Sequence, residues 1–289
     1  MKKIAIATDS NSGITQAEAK EKGVFVLPMP FTIGDDEYFE DINLSQDEFY
    51  EKLKNNEDVK TSQPALGALE DFWDNILKDY DEIVYIPMSS GLSKSCESAM
   101  NFAEEEKFAG KVFVVDNQRI SVTLKGTVFQ AKRMAESGKS GAEIKQILTD
   151  TKFDSSIYIM VDTLKYLKKG GRVTPAGAAL GTLLHIKPVL QIQGGKLDAY
   201  KKVMGSKMAC QAMIDAVKAD LNTRFKDVRQ DMKLCFAHTH NEENARKFVE
   251  EVKKAIPDVE VAFCDPLSLS VSCHIGPGAL AAALYREIL

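Results

Sequence analysis

The chain alternates short, continuously apolar runs with longer amphipathic stretches. The first run, KKIAIATDS at 2–10, carries β-branched residues and ends in Asp-Ser, which predicts a buried strand followed by a turn. Similar runs at 81–90 (DEIVYIPMSS) and 111–117 (KVFVVDN) predict two more strands. A further run, VFVLPMPFTI at 24–33, is broken by Pro28 and Pro30, which confines it to a sheet edge or a strand end. Helical patterns fall between them. LSQDEFYEKLKN (44–55) opens with Ser45 and Glu48 at capping-box spacing, and ESAMNFAEEEKFA (97–109) and TLKGTVFQAKRMAESG (123–138) follow two of the strands. Unalternated strands interleaved with helices predict a parallel sheet covered on both faces.

The pattern changes near residue 150. DSSIYIMVD (154–162), PVLQIQGGKLDAYKKV (188–203), MKLCFAHTH (232–240) and VEVAFCDP (259–266) read as strands. Gly194-Gly195 is a favoured two-residue turn between alternating segments and predicts a hairpin, hence antiparallel pairing. Helices are predicted over 206–225 and 241–255, and the apolar C-terminal segment after Gly276-Pro277-Gly278 reads as another helix. The expected fold is α/β with two domains. The first, at 1–152, is a Rossmann-like parallel sheet with helices on both faces. The second, at 153–289, is an α/β domain with a mixed sheet, and a ligand would lie between the two.

Composition narrows the function classes. The 289 residues are 44% hydrophobic and 27% charged, an ordinary globular balance. A net charge of -5 without a basic block argues against nucleic acid or an anionic membrane surface as an electrostatic partner. No apolar segment reaches the length of a membrane span, and MKKIAIATDS lacks the long apolar core of a signal peptide, so a cytoplasmic location is expected. The five cysteines, Cys96, Cys210, Cys235, Cys264 and Cys273, form no C-x-x-C pair and read as free thiols. His238 and His240 fall on one side of a strand, but no further ligand lies near them in sequence, so no metal site is expected.

Four segments carry candidate chemistry. KTSQPALG at 60–67 is a polar break between two helical patterns, open to a capping role or to a place in a site. In YIPMSSGLSKSCESA (85–99), serines surround Gly91 between a strand end and a helix start, where free N–H groups and the helix dipole favour an anion. No Walker A or G-x-G-x-x-G pattern follows a strand. The stretch VTPAGAALGTLLHI (173–186) is small and apolar, and is expected to be buried or to line a cavity. His274 stands just before Gly276-Pro277-Gly278.

TDS (8–10), TSQP (61–64), SSGLS (89–93), LKYLKKGGR (164–172), IKP (186–188) and HIGPGAL (274–280) occur in this order over nearly the whole chain. Together they resemble the DegV family, the fatty-acid-binding subunits of bacterial fatty acid kinase. The resemblance implies two α/β domains related in fold to dihydroxyacetone kinases, with a long-chain fatty acid held between them. It implies no cofactor beyond that ligand and no phosphoryl transfer by the chain itself, which would present the acyl carboxylate to a separate kinase subunit. Thr61, Ser93 and His274 would surround the carboxylate, with Arg172 near the domain interface. Ser62 would keep a capping role, and Pro64 would fix the next helix start. One departure concerns docking. Met204 stands where the family usually has an arginine tied to kinase docking, with Lys201, Lys202 and Lys207 close by, and lysine lacks arginine's planar fork.

A second class stays open. GLSKS is one residue from the G-x-S-x-G nucleophile elbow, with Ser95 in the place of the last glycine. A serine hydrolase would use Ser93 as nucleophile, His274 as base and Asp116 or Asp265 as orienter.

Overall fold

The computed structural model describes residues 2–55, 58–180 and 186–288. The N-terminal sheet is wholly parallel. It contains β1 (Ile4–Asp9), β2 (Phe25–Leu27), β6 (Glu82–Ile86) and β7 (Val112–Val114) in the order β2-β1-β6-β7. Its side chains alternate between two apolar layers. Ile6, Val84 and Ile86 face one side, and Ala5, Ala7, Ile83 and Tyr85 face the other. The second layer is closed by α3 (Leu66–Leu77), through Leu69, Trp73 and Ile76, and by Ala99 of α4 (Ser95–Phe102). The first layer includes Ala19 of α1 (Gln16–Lys22), Val128 of α5 (Ser121–Glu136) and Ile144 of α6 (Gly141–Asp150). Both faces are covered, as the unalternated runs predict.

Pro28 separates two sheets instead of ending one strand. β2 is an edge strand, and the chain then enters a small antiparallel sheet of β3 (Pro30–Ile33), β4 (Asp36–Phe39) and β5 (Val59–Thr61), ordered β4-β3-β5. The hydrophobic pattern does not reveal β4 and β5. DEYF carries two acidic residues and VKT is only three residues long. α2 (Gln46–Lys54) lies between them and starts with the expected capping box, Ser45 with Glu48.

The C-terminal sheet is mixed. β8 (Ser155–Met160), β9 (Ile186–Ile192), β10 (Asp198–Met204), β11 (Met232–His238), β12 (Val261–Pro266) and β13 (Leu280–Arg286) run in the order β10-β9-β8-β13-β11-β12. Only β11 and β12 pair in parallel. One face packs on α9 (Gly205–Asn222) and α10 (Glu242–Ala255) through Met160, Phe236, Ala282 and Leu284. The opposite face, with Ile157, Ile159, Cys235, Ala281 and Ala283, joins the apolar layer of the N-terminal sheet that includes α5. Among the described residues there are also three short α-helices: α7 (Lys165–Gly170), α8 (Pro175–Ala179) and α11 (Leu269–Ile275).

Several expectations change. LAAALYR is the strand β13, not a helix. Alanine favours helix, but a strand paired on both edges and buried on both faces needs no alternation, and its small side chains let α5 and α9 approach it. The Gly194-Gly195 hairpin exists, but its loop runs over 193–197 and is wider than a two-residue turn. The described part of the small apolar stretch, Val173 to Leu180, does not form a buried wall. Pro175, Ala176 and Ala179 are exposed, and residues 181–185, which include His185, lie outside the described residues. The five cysteines are unbridged.

Gly91, before α4, meets the β9–β10 loop so closely that a Cβ on it would lie 2.1 Å from the Gly195 carbonyl oxygen. Ser89 Oγ donates to the same oxygen at 3.0 Å. This contact docks the SSGLS loop on the C-terminal sheet. Gly91→Ala is expected to cost ~1–3 kcal/mol of stability by forcing the two loops apart, read by chemical denaturation.

Candidate functional site

The parallel sheet places the turns after β1 and β6 and the start of α5 at one end, where helix starts and loops gather. The TDS motif holds that end together. Thr8 Oγ1 donates to the Ile86 carbonyl at 2.7 Å. The Asp9 carboxylate accepts from Met88 N at 2.9 Å and Asn11 N at 3.0 Å, and Ser10 Oγ accepts from Met29 N at 3.0 Å. Burial pushes the Asp9 carboxyl up to about 6, against these donors.

Between this end and the inner face of the mixed sheet lies a cavity of about 1130 Å³, open mouth included. Its wall is mostly apolar, with Met29, Met88, Ile120 and Val122 from the N-terminal half and Ile157, Ile159, Ile192 and Ala281 from the C-terminal sheet. Ile157 and Ile159 are two positions apart on β8 and so point the same way.

Thr61, Ser93, Arg172 and His274 all line this cavity. Thr61 ends β5, and its Oγ1 lies 2.8 Å from His274 Nε2 on α11. Gly276, at φ 77°, lets the chain leave α11 where a Cβ would meet the Tyr166 ring at 2.4 Å. Ser93 Oγ accepts from Ser95 N at 3.2 Å, at the start of α4, and donates to Ser95 Oγ at 3.0 Å. The Arg172 guanidinium donates to the Gly170 carbonyl and follows Gly171, the left-handed residue that ends α7. Burial, helped by the nearby Arg172 charge, holds His274 down at about 4, so its imidazole is neutral near pH 7. With its proton on Nε2, His274 donates to Thr61 and leaves the Thr61 hydroxyl proton free for a ligand oxygen.

The hydrolase arrangement does not assemble. His274 Nε2 meets Thr61, while the Ser93 hydroxyl is engaged by Ser95. Asp116 accepts from Ser90 Oγ at 2.5 Å, and Asp265 accepts from Lys125 at 2.8 Å. Ser62 and Pro64 lose their expected roles. α3 begins at Leu66 with Ala65 as its cap and no side-chain cap, so Pro64 precedes the helix and Ser62 simply lines the cavity. His238 and His240 diverge. His238 Nδ1 accepts from Asn241 N, whereas His240 stacks on Tyr50 at 4.7 Å, and no metal-binding group of His, Cys, Asp or Glu occurs among the described residues. Sequence reasoning missed Asn11, Ser121 and Ser270 as lining residues, because single polar residues beside apolar ones look like turn and cap chemistry.

Residues 3–287 match the family model described as uncharacterised protein, DegV family. The chain belongs to the DegV family. It is similar to protein DegV of Bacillus subtilis (strain 168), at 30% identity over 283 residues, covering 96% of this chain and 97% of that protein. It is also similar to a DegV domain-containing protein of Clostridium acetobutylicum, at 30% identity over 293 residues, covering 99% of this chain and all of that protein, 100%. Among solved structures, a DegV family protein from Thermus thermophilus, described by its fatty acid binding, superposes with TM-score 0.89 at 28% identity, covering 98% of this chain and 99% of that one. DegV from Bacillus subtilis, described as a fatty acid binding protein, gives TM-score 0.85 at 27% identity, covering 99% and 100%. The DegV motifs therefore fall where the geometry gathers polar groups: TDS braces the strand ends, and TSQP, SSGLS, GGR and HIGPG meet at one cavity.

The His274 environment makes a measurable prediction. An unfolded histidine titrates near 6.5 and His274 near 4, so between these values the unfolded chain binds more protons. Stability should therefore fall as pH is lowered through that window. Between pH 7 and pH 5, wild type should lose about 1–2 kcal/mol more than His274→Gln in urea unfolding.

Proposed function

We propose that this DegV-family chain binds a long-chain fatty acid, with the carboxylate at Thr61, Ser93 and His274 and the acyl chain in the apolar cavity. The observation that carries this reading is that one cavity is lined by two hydroxyls and a neutral imidazole and that its wall is mostly hydrocarbon. The relatives from Thermus thermophilus and Bacillus subtilis, described as fatty acid binding, support it.

The physics is sufficient for tight binding. Neutral hydroxyl donors strengthen when the acceptor is a carboxylate: Thr61 has its proton free, Ser93 would turn its proton from Ser95 Oγ to the ligand, and Arg172, which also lines the cavity, adds a favourable charge. Each buried methylene contributes ~0.8 kcal/mol, so a long saturated tail gains on the order of 10 kcal/mol before ordering costs. Binding does not need covalent chemistry, and the chain acts as a carrier without phosphoryl transfer of its own. No helix among the described residues is long and apolar enough to cross a membrane.

Native mass spectrometry of the purified protein should show an added fatty-acid mass. A protein that is empty and also fails to take up labelled palmitate overturns the reading. Thr61→Ala and Ser93→Ala should each weaken palmitate binding by ~1.5–3 kcal/mol, one hydrogen bond to a charged group, as measured by titration calorimetry.

The carrier presents the carboxylate to a separate kinase subunit in the same reading. Met204 at the start of α9 is 68% exposed, and Lys201, Lys202 and Lys207 around it are exposed as well, so these side chains are free to meet a partner. A purified fatty acid kinase subunit with ATP should phosphorylate palmitate only when this chain is added. If it forms no acyl phosphate with the loaded chain, the kinase part fails and the binding part stands.

A further inference from the structure

Three further polar side chains, besides Thr61, Ser93, Arg172 and His274, are set into the mostly apolar wall of the cavity. Asn11, Ser121 and Ser270 all line it and are only 2%, 5% and 6% exposed. They come from separate segments: the single helical turn after β1, the first residue of α5, and α11. Ser270 is satisfied, since its Oγ donates to Asn11 Oδ1 at 2.6 Å. Asn11 is engaged as well, since its Nδ2 contacts the Met88 thioether at 3.0 Å and its side chain also bonds the Asp9 carboxylate. The Ser121 hydroxyl has no hydrogen-bond partner among the described residues. Ser121 also adopts φ 54°, a left-handed conformation that serine seldom takes, and no side chain caps the helix that starts there.

A plain hydrocarbon tail would cover these groups and leave a buried donor unpaired. Burying a donor without a partner is unfavourable, and native interiors avoid it. An oxygen on the tail would accept from the Ser121 hydroxyl, without disturbing the bonds of Asn11 and Ser270.

We infer that the Ser121 hydroxyl forms an interior polar subsite for an oxygen substituent part-way along the acyl chain, so that this chain selects hydroxylated or oxo fatty acids over unsubstituted ones. The inference rests on the fatty-acid reading above. Ser121 is the discriminating residue because its hydroxyl is the group without a partner. The competing account is an ordered water that fills the same place beside an unsubstituted tail, which predicts no such selection.

Delipidated full-length protein, titrated calorimetrically with stearate and with monohydroxystearates bearing the hydroxyl at successive carbons, separates the two. At one or two adjacent hydroxyl positions, affinity should exceed that for stearate by about fivefold, the scale of one net hydrogen bond. Ser121→Ala should abolish this advantage while stearate binds at least as well as to wild type. Ser121→Gly, which also relaxes the backbone, should do the same and guards against a folding defect in the alanine variant. Stearate binding with no advantage for any hydroxy isomer overturns this inference and leaves the fatty-acid reading standing, as does an advantage that survives both substitutions. Failure of every one of these acids to bind overturns both.

Discussion

The structure depends on the burial of one helix between two sheets. α5 touches β1 and β6 on one side and β11, β12 and β13 on the other. Most of its length is buried, including residues that would normally seek water. Lys125 is 5% exposed, and its ammonium meets Glu18 at 2.9 Å and Asp265 at 2.8 Å, one carboxylate from each half of the chain. A buried charge left without partners costs several kcal/mol, so this lysine ties α1, α5 and β12 into one arrangement. Arg119, just before α5, does the same with backbone carbonyls of Thr151 and Asp154 and with the Thr127 hydroxyl.

Fixing α5 fixes the cavity. The first residues of the helix form part of its wall, and the inner face of the mixed sheet forms another part. The remaining walls are loops, and each is anchored by a short-range device. Asp9 gathers the backbone after β1 and β6, and Gly91 seats the SSGLS loop against Gly195. Glu40 accepts from Leu269 N at 2.9 Å and so holds the small sheet to the start of α11. Burial pushes the Glu40 carboxyl up to about 8, which keeps this junction uncharged near neutral pH.

The site is electrostatically restrained. A catalytic base needs a value near working pH, but His274 is held at about 4 and bonded to a threonine. What the arrangement provides is neutral donors around an open point, next to an apolar volume. That combination suits recognition of a carboxylate at the end of a hydrocarbon better than bond cleavage.

The parallel sheet and its helices, the capping box at Ser45, and the end of α7 at Gly171 follow from local signals, because periodicity and turn chemistry are local properties. The sequence motifs also named Thr61, Ser93, Arg172 and His274, and these do line one cavity. Local signals failed where packing overrode propensity. LAAALYR became the strand β13 because it is enclosed on both edges and both faces, and DEYF and VKT became strands because Phe31 and its neighbours offered a free edge. They also failed wherever a role depends on a distant partner. Nothing near Asn11 in the chain reveals its contact with Ser270, 259 positions away, and nothing near Ser121 reveals that its hydroxyl faces a cavity. The sequence by itself determined which elements form and which polar motifs they carry. The tertiary structure alone decided which of those motifs share a cavity and which buried groups are left to bind something else, because burial and pairing are properties of the whole packed chain.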